Sequence, residues 1–130
     1  VFTDIIDSTN MWEYDQRAMR AALTIHDNII RAELVNFDGY EVKTLGDGFL
    51  ASFSTPESAL KFCLSTQKKL QSVAWPKEIL DYALQSMCWS GHTNYQSRGL
   101  RVRMGIHFGA PFACSPNHLT GRMDYYGYMV

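Results

Sequence analysis

The chain has few cysteines, no excess of either charge and no long apolar run, and each shortage removes a class of function. Cys63, Cys88 and Cys114 stand far apart and are odd in number. They build neither a disulfide framework nor a thiolate metal site, and they suit a reducing, cytosolic setting. Twelve Lys and Arg against thirteen Asp and Glu leave a formal net charge of -1. That lacks the basic excess of a nucleic-acid footprint, so no nucleic-acid partner is expected. No stretch is apolar for long enough to span a bilayer, and no signal-peptide pattern opens the chain. Direct membrane insertion is therefore not expected. Internal repeats and low-complexity segments are also missing. At 130 residues, 46% hydrophobic and 19% charged, the remainder has the composition of one globular domain with a modest core.

The hydrophobic period changes along the chain. Val1–Ile6 is a run of strand length, interrupted by Asp4. Asp7-Ser8-Thr9-Asn10 is rich in turn and N-cap residues. From about Met11 to Phe37 the period is helical, with Met19, Ala22, Leu23, Ile29, Ile30, Leu34 and Phe37 near one face. Asp38-Gly39 ends it. Tyr40–Leu45 and Phe49–Phe53 alternate as strands. In the first, Tyr40, Val42 and Thr44 are expected on one side and Glu41 and Lys43 on the other. Gly46-Asp47-Gly48 between them predicts a hairpin.

Thr55-Pro56-Glu57 predicts a helix start, with Ala59, Phe62, Cys63, Thr66 and Leu70 inward and an end near Leu70. Lys77–Leu84 reads as a short helix and Met87–Ser97 as a surface insertion. Leu100–Phe108 reads as a strand, and Ser115-Pro116-Asn117 as a loop. The order strand, helix, strand, strand, helix, strand is an α+β pattern, in which an antiparallel-rich sheet carries helices on one face.

Two acids have the placement of metal ligands. Asp4 closes an apolar strand and Asp47 sits at a hairpin tip. A carboxylate within Val-Phe-Thr-Asp-Ile-Ile costs free energy unless a cation compensates it. Carboxylates at adjacent strand ends can hold one or two hard divalent ions. The residues alone are equally compatible with Asp4 capping the next helix and Asp47 only shaping its turn. Ser8-Thr9-Asn10 could offer backbone N–H groups to phosphate or serve as a simple cap. His26 falls on the apolar helical face and reads as a core histidine. His107 is expected to pack beside a strand end. Phe108, Tyr125 and Tyr126 read as core or interface. Cys88 and Trp89 have no assigned role.

Four segments in register carry a family resemblance. Phe2-Thr3-Asp4-Ile5, Tyr40-Glu41-Val42-Lys43-Thr44-Leu45-Gly46-Asp47-Gly48-Phe49, Arg103-Met104-Gly105-Ile106-His107 and Asp124-Tyr125-Tyr126-Gly127 resemble the successive signatures of class III adenylate cyclases. Thr120–Tyr125 and Trp75–Leu80 resemble the fungal branch especially. The resemblance implies the α+β cyclase palm with a ferredoxin-like core, and the conversion of ATP to cyclic AMP and pyrophosphate with two Mg2+ or Mn2+ ions in intracellular signalling. It implies that Asp4, Asp47 and the Ile5 carbonyl are metal ligands, that Lys43 and Asp124 recognise the adenine base and that Arg103 lies near the phosphates; Thr9, in the segment that could face phosphate, is a further substrate-binding candidate. It also implies a head-to-tail homodimer, with metal ligands from one chain and base contacts from the other. Lys43 and Asp124 also fit adenine on chemical grounds: a donor for ring N1 and an acceptor for the exocyclic amine. Guanine reverses that edge.

Both ends read as interrupted, so the chain is expected to be a partial catalytic domain over 1–130, truncated at both ends. In the family, an asparagine and, one helical turn later, an arginine follow a motif like Met129-Val130. The fragment alone is therefore expected to be inactive. The parent protein is expected in the cytoplasm, with any attachment to the cytoplasmic face of a membrane made by other segments. Competing readings are a catalytically silent regulatory module of the same fold, a guanylate cyclase, and another two-metal palm enzyme.

Overall fold

The computed structural model describes residues 1–90 and 98–127. Its elements are β1 (Phe2–Ile5), α1 (Ser8–Tyr14), α2 (Gln16–Asn36), β2 (Tyr40–Leu45), β3 (Gly48–Ser52), α3 (Pro56–Ser72), α4 (Lys77–Ser90), β4 (Val102–Gly105), β5 (Ala113–Pro116) and β6 (Met123–Tyr126). The first four strands form one antiparallel sheet in the order β2-β3-β1-β4, and β5-β6 is a separate hairpin. The architecture is mixed helix and strand, as the α+β expectation has it.

Local chemistry sets the boundaries. Asp15 adopts extended backbone (φ -154°) and its side chain accepts from the Ala18 amide at 2.9 Å. That cap divides the single helix expected over Met11–Phe37 into α1 and α2. Thr55 caps α3 through the Ser58 amide at 3.1 Å, with Pro56 opening the helix. Helix α4 continues past Leu84 to Ser90. The rest of the expected insertion, 91–97, and the side chains of Cys88 and Trp89 lie outside the described residues, as does Met129-Val130. Strand β5 replaces the loop expected at Ser115-Pro116. All four of its residues are exposed, so no apolar alternation marks it.

One face of the sheet carries α2 and α3. Phe49 and Ala51 pack there with Ile30, Leu34, Phe62 and Cys63, and Ile5 and Val102 pack with Met19, Ala22, Leu70 and Ile79. The inward residues expected on α3 are the buried ones, and Gln67 donates to the Val102 carbonyl at 2.7 Å. Each of the large fully buried side chains stabilises the domain by about 1.5–3 kcal/mol.

Glu33 is fully buried between α2 and α3, where Lys69 and Asn36 donate to its Oε1. Burial pushes its pKa up, but the bonds from Lys69, Ser65 and Asn36 outweigh that and hold it below the ordinary carboxylate value. A lowered folded pKa gives stability that is present above the unfolded value of about 4.3 and lost as pH falls through the folded one. Thermal unfolding between pH 7 and pH 3 should therefore show Glu33→Gln less stable by about 1–2 kcal/mol at neutral pH. The two proteins should converge in acid.

Candidate functional site

Strand register decides which side chains share the open face, opposite the helices. Asp4 pairs with Arg103, Phe2 pairs with Leu50 and Lys43 pairs with Leu50. Directly paired residues project to one side of a sheet, so Asp4, Arg103 and Lys43 lie on one face. Lys43 is there because β2 carries a bulge. Glu41 pairs with Ala51 and Lys43 with Leu50, leaving Val42 as the extra residue. The bulge reverses the alternation. Glu41 points toward α2 and Lys43 away from it, which corrects the expectation that both share a side. Thr44 confirms the geometry, since its hydroxyl donates to Glu41 at 3.0 Å.

Asp4 sits within β1, its carboxylate about half exposed, and both Arg103 Nε (3.1 Å) and the Arg103 terminal nitrogen donate to its Oδ2. Arg103 is thus the cation that an acid in that apolar run requires. Asp4 does not cap the next helix, because Asp7 holds that position in left-handed backbone (φ 64°). The Asp7 carboxylate accepts from Asn10 and from the Tyr82 hydroxyl. Thr9 follows, exposed, in the first turn of α1. Ile5 is buried by its side chain, so only its backbone is available to the site.

Asp47 is the second residue of the β2–β3 turn. Gly46 precedes it with φ 63°, the pattern of a two-residue hairpin opened by glycine. Gly48 is pressed against β1: a Cβ there would lie 2.3 Å from the Thr3 carbonyl oxygen. The residues beside that contact are Asp47 and Asp4, so the hairpin tip and the end of β1 are neighbours. Asp47 Oδ2 is buried without a hydrogen-bond partner. An orphan carboxylate oxygen at a hairpin tip next to the strand that carries a second carboxylate is chemistry that suits a hard divalent ion. Two carboxylates are too few to close a shell, and among the described residues no third His, Cys, Asp or Glu joins them.

Lys43 donates to both oxygens of Asp124, at 3.0 and 3.2 Å, and Asp124 is buried. This pair, expected from the sequence, is brought together across 81 residues. A cavity of about 450 Å3 opens on the same face, lined by Phe2, Tyr40, Val42, Leu50, Phe108 and Tyr125. None of the charged candidates lines it, although Val42 adjoins Lys43 and Tyr125 adjoins Asp124. The cavity is thus the apolar neighbour of the charged residues.

His26 is fully buried, as its place on the helix implies. Burial lowers its pKa, against the opposing pull of its bond to Asp27 and of the charges of Asp27 and Asp47. His107 is exposed in coil and does not pack as expected, and Phe108, also exposed, is not part of the core; β4 ends at Gly105, and the alternation ends with it. Sequence reading missed Glu41 and Arg122. Glu41 accepts from Arg122 at 2.7 Å and from Arg31 at 3.1 Å, and a long-range pair of this kind leaves no local signal.

The whole chain, residues 1–130, matches the family model described as adenylate and guanylate cyclase catalytic domain. The chain belongs to this family. It is 46% identical over 130 residues to an adenylate cyclase of Neurospora crassa and 48% identical over 134 residues to one of Lachancea kluyveri. All of this chain is covered in both, but it spans only 6% and 7% of those proteins. Both relatives are fungal, in keeping with the resemblance. Among solved structures, one from an analysis of Trypanosoma brucei adenylate cyclases in their monomeric state superposes with a TM-score of 0.83 at 28% identity. It covers 98% of this chain and 62% of that one. Among the described residues no helix is long and apolar enough to cross a membrane.

Proposed function

We propose that this cyclase domain converts ATP to 3′,5′-cyclic AMP and pyrophosphate, in the cytoplasm and as one half of a head-to-tail homodimer. The observation that carries the choice of base is the Lys43–Asp124 pair. An ammonium has three donors. Lys43 can keep one on Asp124 and present another to adenine N1, while Asp124 accepts from the exocyclic amine. With guanine, both contacts would meet groups of the wrong kind, and a mispaired polar edge discriminates strongly.

Asp4, Asp47 and the Ile5 carbonyl would hold two Mg2+ or Mn2+ ions. When bound, such ions would lower the pKa of the ribose 3′-hydroxyl, so that after losing its proton it can attack the α-phosphorus, and would neutralise charge on the leaving pyrophosphate. Asp47 would contribute a carboxylate oxygen that has no hydrogen-bond partner among the described residues. Asp4 is held in place by Arg103, whose guanidinium is exposed enough to turn to a phosphate instead. Thr9 would add a contact to the phosphates from the first turn of α1. Names of relatives support the same reading, since the two fungal proteins are adenylate cyclases.

Competition between ATP and GTP tests the base assignment. ATP should be preferred, and Lys43→Glu should lower the preference by about one hundredfold, because it replaces a donor by an acceptor at N1. An unchanged preference would remove Lys43 from the base site.

A further inference from the structure

Asp124 reaches the site on a hairpin that the main sheet does not hold. Among the described residues, strands β5 and β6 pair only with each other, and β5 is exposed along its length. The hairpin meets β2 through side chains. The Tyr40 hydroxyl accepts from the Met123 amide at 2.9 Å, Glu41 accepts from Arg122 at 2.7 Å, and Lys43 donates to Asp124. Lys43 is needed by the substrate, so it cannot be the sole anchor of its own partner.

Glu41 has the properties of an anchor. Its side chain is only 12% exposed. It also accepts from Arg31 on α2 and from Thr44, so it is fixed before Arg122 arrives. Arg122 stands two residues before Asp124. We infer that the Glu41–Arg122 ion pair is a positioning device: it docks the β5–β6 hairpin so that Asp124 stands where the purine amine is read. Its effect is on affinity for, and choice of, the base. This rests on the adenine role given to Lys43 and Asp124.

The experiment uses the full-length protein and three variants, Arg122→Ala, Arg122→Lys and Asp124→Ala. Each is assayed for KM and kcat with ATP and with GTP, and for inhibition by pyrophosphate. Arg122→Ala should raise KM for ATP by about tenfold, the worth of one charge-assisted bond. It should raise KM more than it lowers kcat, and it should lower the ATP-to-GTP ratio. Pyrophosphate carries no base, so its inhibition constant should stay within about twofold, which a loosened fold would not allow. Arg122→Lys should recover part of the loss, since an ammonium can still reach Glu41. If Asp124→Ala weakens ATP but Arg122→Ala does not, the positioning role is wrong and the base site stands. If neither changes ATP affinity or purine choice, the base site itself is wrong, and this inference falls with it. Parallel loss of ATP and pyrophosphate binding in Arg122→Ala would also overturn it, by showing that the pair supports the fold as a whole.

Discussion

Asp47→Asn should cut cyclic AMP synthesis by the full-length protein at least about a thousandfold, the scale of losing several kcal/mol of charge stabilisation in the transition state. The amide is nearly the same size, so the β2–β3 turn keeps its shape. The turn depends on Gly46 and on the close approach of Gly48 to Thr3, not on the carboxylate. Asp47 Oδ2 has no hydrogen-bond partner among the described residues, so neutralising the carboxylate should leave stability nearly unchanged. An inactive protein with an unaltered melting temperature is therefore the expected pair of results. Activity within a few-fold of the parent would take Asp47 out of the metal site. Asp4→Asn should be similarly inactive but less stable, because it weakens the bond from Arg103.

Mixing two variants that are each nearly inactive with ATP when assayed alone should restore activity. Lys43→Glu and Asp47→Asn lie four residues apart on one hairpin, about 13 Å if extended. In a head-to-tail dimer they serve different composite sites. A mixed dimer then has one site with both defects and one with neither, which is a consequence of two-fold symmetry. Random pairing of equal amounts makes half the dimers mixed, each with one intact site of two. About a quarter of parental activity should return. Titrating one purified variant into the other while following cyclic AMP measures it. Mixed dimers that form yet stay inactive would place the site within one chain.

Much of the fold was legible because its signals are local. Thr55-Pro56-Glu57 opens α3 as its chemistry requires, and Gly46-Asp47-Gly48 closes the hairpin where glycine is needed. The inward face of α3 follows from its 3.6-residue period. Illegible parts have non-local causes. Asp15 divides a helix in which the apolar period continues on both sides. Strand β5 has no buried face to announce it. Of the candidate site, the two acids and the Lys43–Asp124 pair could be named from motifs. Arg103 was named too, yet its partner Asp4 depends on the β1–β4 register. Glu41 and Arg122 stay invisible until β2 and β6 are side by side.

Val42, the extra residue of β2, sets which way the charges on either side of it face. One additional residue lets a single short strand serve two unlike surroundings, a charge toward the helices at Glu41 and another at Lys43 toward the opposite face, where Asp124 meets it. Facing in this strand is therefore a matter of counting as much as of residue type. A relative with the same lysine but one residue fewer before it would carry that lysine on the helical side. Insertions and deletions within β2 consequently decide which face this lysine occupies even when every charged residue is retained.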